Sequence, residues 1–373
     1  MVSFDSDLSQ RVIFGENSIE KLAESTVALG GSRVLIVTDP GIQEAGILKR
    51  AYSALNSENI LRYVFTDVAP NPTTKHVEAA VQFAKVNAPI DLIIGLGGGS
   101  AMDCAKGTNF LLTNGGKMED YWGTNKATQP MLPSIGIPTT IGTGSEAQSF
   151  ALIAQEETHI KMACGDKKAQ FDTVILDPTL TKTLPKSVAA ATSIDAIAHA
   201  IESYVSTKRN VMSQMYSLHA WKLLDANFEL ALDAKNLKAR GKMLFGAYLA
   251  GVAIENSMLG AAHACANPLT AKYGITHGIA VALMLPHVIR FNKMVVGESY
   301  NELFSVGNLA DKVETLMQTG NLPNTLQDCS VQHSVRSTDV PTLAKEASVQ
   351  WTAQFNPRPL DIHDFVRLYE QIF

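Results

Sequence analysis

The chain has 373 residues, 46% of them hydrophobic, with 31 Lys+Arg against 36 Asp+Glu. At about 150 residues per domain this length predicts two domains, and a near-balanced charge without runs of one sign leaves no footprint for nucleic acid or an anionic membrane. A small-molecule ligand is expected instead. The N-terminus, Met1-Val-Ser-Phe-Asp-Ser-Asp7, carries acids where a signal peptide is basic, and Pro286 is expected to stop the most apolar run, 279–285. Cys104, Cys164, Cys265 and Cys329 are scattered without a Cys-x-x-Cys pair, which predicts a reducing, cytoplasmic setting and no disulfide framework.

The first half alternates short β-branched runs with helical segments across Gly, Pro and Asn turns, the order a parallel sheet with crossover helices requires. Strands are expected at 34–38, 61–65, 91–95 and 134–138, and helices over 43–56 and 74–87. Residues 149–154 and 160–163, on either side of the polar 155–158, read as a hairpin, and the last strand signal is 173–176. From Lys186 the pattern changes to long apolar-periodic stretches, 187–206, 211–232, 236–258 and 278–293. The change between Asp177-Pro178 and Leu184-Pro185 predicts an α/β domain over 1–184 and an all-helical domain over 185–373.

Leu96-Gly97-Gly98-Gly99-Ser100 follows a buried-type strand directly and opens an apolar helix, the context in which backbone N–H groups and a helix dipole hold a phosphate. It departs from the usual Rossmann fingerprint: Gly95-x-Gly97-x-x-Ser100 lacks the third glycine and has no acid about 20 residues on. The competing reading is a tight turn in which Ser100 caps the helix and Asp103 completes a capping box. A second polar loop, 138–146, offers the hydroxyls of Thr139, Thr140, Thr143 and Ser145 either to phosphate and ribose or to its own turns. Asp39, just past the first strand, is placed to accept from both hydroxyls of an adenosine ribose and would repel a 2′-phosphate; as a turn residue before Pro40-Gly41 it needs no ligand.

In the second half, 192–202 is helical in composition, so Asp195 and His199 project from one face. His263 and His277 are expected to fold toward one another across the turn-prone Asn267-Pro268 and Gly274. One carboxylate and three imidazoles form a borderline N/O set that suits Fe²⁺ or Zn²⁺ rather than Ca²⁺ or Mg²⁺. Any one of these histidines alone is as readily a packed core residue.

Together, 97–106, 138–146, Asp195-x-x-x-His199-Ala-Ile-Glu202 and His263 to His277-Gly278 resemble, in order, the iron-containing (group III) alcohol dehydrogenases. Asp177-Pro178, Leu285-Pro-His-Val288 and Asn356-Pro-Arg-Pro359 extend the resemblance over nearly the whole chain. It implies a Rossmann-like α/β domain that binds NAD, an all-α metal-binding domain in a dehydroquinate synthase-like architecture, and an active site in the cleft between them. Gly97, Gly98, Gly99 and Ser100 would then hold the pyrophosphate with support from Asp103. Thr139, Thr140, Thr143 and Ser145 would line the cofactor, Asn71 and Lys161 would be further contacts, and Asp39 would face the ribose and favour NAD over NADP. Asp195, His199, His263 and His277 match four ligands of Fe²⁺, with Zn²⁺ as the alternative.

The implied reaction is reversible hydride transfer between a small alcohol and its aldehyde or ketone, with the metal as Lewis acid, no side chain assigned as an obligatory base, and a homodimer as the assembly. In one departure, Asn267 stands where the family commonly has a histidine, and an amide hydrogen-bonds but does not titrate. Two other readings stand beside this one. The first is a glycerol-type or other dehydroquinate-synthase-superfamily enzyme with altered chemistry; the second is a catalytically silent NAD- or metal-binding relative marked by Asn267.

Overall fold

The computed structural model describes residues 4, 10–57, 60–87, 89–331 and 334–373. They fall into two compact units: one holds residues 10–140 with Ser145–Thr183, and the other holds Leu184–Phe373 with the short segment Ile141–Gly144.

The first unit carries β1 (Arg11–Phe14), β2 (Arg33–Val37), β3 (Leu61–Phe65), β4 (Leu92–Gly97), β5 (Gly123–Thr124), β6 (Ser134–Pro138), β7 (Phe150–Ala154), β8 (Lys161–Gly165) and β9 (Thr173–Leu176). Its helices are α1 (Leu22–Ala28), α2 (Pro40–Glu44), α3 (Ile47–Ala54), α4 (Thr74–Val86) and α5 (Gly99–Asn114). Six strands form one sheet in the order β1-β9-β6-β4-β2-β3, with every pairing parallel. Val34 to Val37, Leu92 to Ile94 and Leu96 are buried on both faces of the sheet, which is why these segments read as unbroken apolar runs rather than alternations. The expected hairpin is the antiparallel pair β7 and β8, and β5 extends it to three strands.

Two features of this unit depart from the sequence expectation. β1 gives no clear strand signal because it is a short edge strand with no fully buried residue, held by pairing Arg11 to Thr173 through Phe14 to Leu176. The helix expected over 43–56 is two helices, because Gly46 adopts φ 75°, a left-handed conformation that ends α2 before α3 begins.

From β2 the chain returns to β3 on one side, whereas from β4 it returns to β6 on the other. The carboxyl ends of β2 and β4 therefore bound the crevice where doubly wound sheets receive ligands.

The second unit is helical: α6 (Lys186–Val205), α7 (Val211–Ala231), α8 (Leu237–Glu255), α9 (Ala261–Tyr273), α10 (His277–Leu303), α11 (Leu309–Thr319), α12 (Val340–Ser348) and α13 (Ile362–Glu370). From Ser193 to Val205, α6 is buried all round, as a helix at the centre of a bundle must be. Asn267-Pro268 does not form the expected turn; both residues lie inside α9, and the chain reverses after Gly274, which caps that helix at φ 68°. Pro286 does not stop the last apolar stretch either. α10 runs on through it to Leu303 with one non-helical residue, Val296, and although long and apolar enough to cross a membrane it is mostly buried. Neighbouring segments of this unit pack closely where glycine permits: a Cβ on Gly278 would fall 2.4 Å from the Ala191 carbonyl oxygen, and one on Gly142 only 1.8 Å from that of Thr192.

Candidate metal centre and dinucleotide loop

Asp195, His199 and Glu202 share one face of α6, at i, i+4 and i+7, and all three are buried. His263 lies in the first turn of α9 and His277 is the first residue of α10, so the reversal at Gly274 returns the second histidine to the first. Their ring nitrogens converge on one oxygen. Asp195 Oδ1 lies 3.3 Å from His263 Nε2, 3.6 Å from His199 Nε2 and 4.0 Å from His277 Nε2. Asp195, His263 and His277 each offer a ligand atom within 4.8 Å of the others; His199 approaches the same carboxylate but stands outside that mutual set.

Asp195 Oδ1 and His263 Nε2 are buried without a hydrogen-bond partner, since their 3.3 Å approach lacks hydrogen-bond geometry. Each such atom costs about 1–3 kcal/mol. A divalent cation shared by these N and O donors would remove that penalty, so the residues present fit the ion. Burial opposes the charge of Asp195, but His199, His263 and His277 outweigh it and hold its carboxyl far below the usual range. Burial pushes His199 down to about 4, leaving its ring neutral with a lone pair to offer. Burial also works against a charged His263, yet Glu202 and Asp195 together raise that imidazole to about 9.

Around this cluster, Glu202 meets His263 Nδ1 through Oε2 at 2.6 Å, and its Oε1 accepts from the Ala262 N–H at 2.7 Å. Asn267 is not idle: its Nδ2 donates to Gln350 Oε1 at 3.0 Å, an amide pair where the family pattern has an imidazole.

The glycine loop gathers at the carboxyl ends of β2, β4 and β6. Gly97 has φ 149°, and a Cβ there would stand 2.8 Å from Ala101 Cβ and 3.1 Å from Asp39 Oδ2, so Asp39 and the loop are direct neighbours. Gly98 is the N-cap of α5 and Gly99 its first residue, with no side chain capping the end. The capping box expected from Ser100 and Asp103 is therefore not formed. Ser100 Oγ accepts from the Asn71 N–H at 3.2 Å, and Asp103 takes a 2.6 Å hydrogen bond from Ser145 Oγ. Ala101 and Met102 donate their N–H groups to the Gly98 carbonyl at 3.1 and 3.2 Å, and the uncapped turn leaves those of Gly99 and Ser100 to an anion. Asp39 does serve as a turn residue, accepting from the Ile42 N–H at 3.0 Å, while Oδ2 faces Gly97; burial raises its carboxyl above the usual range.

Thr139 continues β6 by donating its N–H to the Gly97 carbonyl at 2.9 Å, and the Thr140 and Thr143 hydroxyls are buried without partners. Thr143 lies in Ile141–Gly144, which belongs to the helical unit. Lys161, on β8, is near enough for its charge to act on buried Asp103.

Two buried residues carry more than the sequence suggested. Lys106 is no solvated lysine: its Nζ donates to the carbonyls of Ser145, Gln148 and Phe150 at 2.6, 2.7 and 2.8 Å, tying α5 to the second polar loop. Glu202 stands three residues past His199, and that spacing on a two-ligand helix was the available signal for it.

A doubly wound sheet with an open glycine-rich helix start, and a buried Asp/His cluster in a helical unit, define a nicotinamide-type metal-dependent dehydrogenase. The chain belongs to the iron-containing alcohol dehydrogenase family: residues 9–178 match "Iron-containing alcohol dehydrogenase" and 189–373 match "Fe-containing alcohol dehydrogenase family, C-terminal". Alcohol dehydrogenase 4 of Saccharomyces cerevisiae (strain ATCC 204508 / S288c) is 35% identical over 332 residues, 86% of each chain. A solved structure of 1,3-propanediol oxidoreductase superposes with TM-score 0.94 at 30% identity over the whole of both chains. Sulfoacetaldehyde reductase from Bifidobacterium kashiwanohense, solved in complex with NAD+, has TM-score 0.90 at 26% identity over 100% of this chain and 99% of that one. The chain is accordingly an iron-type alcohol dehydrogenase; the comparisons give no support to the altered-chemistry or silent readings.

Proposed function

We propose that the chain interconverts a small alcohol and its aldehyde or ketone with NAD(H), using Fe²⁺ held by Asp195, His199, His263 and His277. The observation that carries this is the convergence of three imidazole Nε2 atoms within 4.0 Å of one buried, unbonded carboxylate oxygen. When bound, the ion supplies Lewis acidity toward the substrate oxygen and the nicotinamide supplies the hydride chemistry. Zn²⁺ suits the same donors.

The remaining work belongs to the chain's own residues. Asp195 supplies the negative charge that draws a cation to the three imidazoles, and the burial of Asp195, His199 and His263 limits competition from water. Gly97, Gly98, Gly99 and Ser100 present the open start of α5 to the pyrophosphate, Asp103 and Ser145 brace one another beneath it, and Asp39 takes the ribose hydroxyls. Asn71, Thr139, Thr140, Thr143 and Lys161 complete the assigned cofactor set. Asn267 and Gln350 hydrogen-bond without titrating, so the substrate proton leaves through solvent rather than through a side chain at position 267.

Small alcohols and aldehydes are the partners we assign, with no nucleic acid or membrane; a homodimer follows the family resemblance. The four free thiols suit a cytoplasmic location. Iron-loaded protein mixed with NADH and a panel of small aldehydes is expected to oxidise the cofactor. Tight NADH binding with no turnover on any aldehyde would sink the reading.

A further inference from the structure

We infer that Glu202 is a positioning residue for the metal centre: it holds the His263 ring so that Nε2, and not Nδ1, faces the cation. The inference rests on the metal-site reading above. The two ring nitrogens have opposite surroundings. Nδ1 is 2.6 Å from Glu202 Oε2, whereas Nε2 is 3.3 Å from Asp195 Oδ1 and has no hydrogen-bond partner. A carboxylate only accepts, so Nδ1 donates its N–H to Glu202 and Nε2 is the nitrogen left to offer a lone pair to an ion, which would take the place of any proton there.

Glu202 is itself held from several sides. Oε1 accepts from the Ala262 N–H at 2.7 Å, one of the first-turn N–H groups of α9 that no helix carbonyl can reach, and the positive end of that helix favours the carboxylate. The adjoining Ala261 N–H goes instead to Asn356 Oδ1 at 3.3 Å, and Asn356 is fixed by reciprocal bonds with Asn292 at 3.0 and 2.7 Å. Between the two acceptors sits Gly260, where a Cβ would lie 3.0 Å from both Asn356 Oδ1 and Glu202 Oε1. The start of α9 and the ring of His263 are thus referenced to one acid on α6, the helix that also carries Asp195 and His199.

The test compares wild-type, Glu202→Gln and Glu202→Asp proteins. Metal is removed by a chelator, and Zn²⁺ and Co²⁺ are titrated back against a chromophoric competitor. In Glu202→Gln an amide N–H facing Nδ1 moves the imidazole proton to Nε2, the wrong nitrogen for the ion. Zn²⁺ affinity is expected to fall about 10–100-fold, while metal-free far-UV dichroism and NADH binding stay at wild-type levels. Glu202→Asp, which keeps the charge, is expected to recover part of the affinity. Affinities of both variants within twofold of wild type would overturn the proposal.

A wild-type measurement removes dependence on how the variants fold. In Zn²⁺-loaded protein with ¹⁵N-labelled histidine, His263, assigned by its absence in His263→Asn, is expected to show a protonated Nδ1 with a strongly downfield proton and a metal-bound Nε2. Metal on Nδ1, or an Nδ1 without its proton, refutes the role of Glu202 directly. Failure of wild-type protein to bind Zn²⁺ or Co²⁺ would instead refute the metal centre on which the inference stands.

Discussion

The helical unit and the α/β unit prepare their ligand sites in opposite ways. Around Asp195 the recognising atoms are side chains, and at least two, Asp195 Oδ1 and His263 Nε2, are buried with nothing bonded to them. At the glycine loop Ser100 accepts from the Asn71 N–H, Asp39 from the Ile42 N–H and Asp103 from the Ser145 hydroxyl, and besides the Thr140 hydroxyl the open groups are backbone N–H at the start of α5. The first site is unstable until filled, whereas the second is a finished structure with one open end. Metal is therefore expected to stabilise the protein far more than cofactor does, because a tightly held ion at 1,000 times its Kd contributes about 4 kcal/mol by mass action.

The largest effects should come from emptying the unfinished site. Asp195→Ala and His263→Ala are each expected to abolish bound metal and to lower kcat/KM by more than about 1,000-fold, some 4 kcal/mol, while NADH still binds. Elemental analysis and fluorescence titration with NADH measure the two halves separately. Wild-type metal content in either variant would show that the residue is no ligand.

Next comes the brace beneath the finished site. Lys106→Met strands the carbonyls of Ser145, Gln148 and Phe150 and removes the cation beside Asp103, with an expected loss of about 3–5 kcal/mol in urea unfolding. A loss below about 1 kcal/mol would mean that the loop is held by something else.

Glu146, in the same loop, gives the comparison a pH axis. Burial raises its carboxyl from 4.5 to about 7, and Oε2 has no hydrogen-bond partner. Between those values the folded protein holds a proton on Glu146 that the unfolded chain has lost, so the contribution of this group to stability is full below pH 4.5 and declines as pH rises to 7. The decline is on the order of 3 kcal/mol, and Glu146→Gln should remove it. Relative to wild type, the variant's urea midpoint is expected to gain between pH 5 and pH 8; a pH-independent difference would place the ionised form comfortably in the fold.

The two sites were also unequally legible in the sequence. The glycine loop is local: strand, glycines and helix follow one another within 92–114, so order along the chain is enough. The metal cluster is assembled from three helices, and spacing alone could propose Asp195 with His199 but not the path from His263 to His277. There Asn267-Pro268 reads as a turn because proline lacks its N–H, yet burial on α9 outweighs the one hydrogen bond lost. Pro286 was misleading for the same reason. Lys106 and Glu202 were hidden by character rather than place, since a lysine or glutamate on a helix is ordinarily solvated, and only tertiary contacts show three carbonyls around one and a histidine against the other.

The smallest effect tests whether Asp39 belongs to the finished structure or to its open end, since it both caps α2 and faces Gly97. Asp39→Gly removes charge and cap together, but glycine is itself a fair N-cap, so stability should change by only a few tenths of a kcal/mol. Asp39→Asn keeps the cap and removes only the charge. If the carboxylate reads the ribose, both variants should shift the NAD to NADP ratio of kcat/KM toward NADP by about tenfold, or 1.4 kcal/mol, with little change in thermal midpoint. A shift in Asp39→Gly alone would trace selectivity to the turn's shape, and an unchanged ratio in both would leave Asp39 a capping residue of α2.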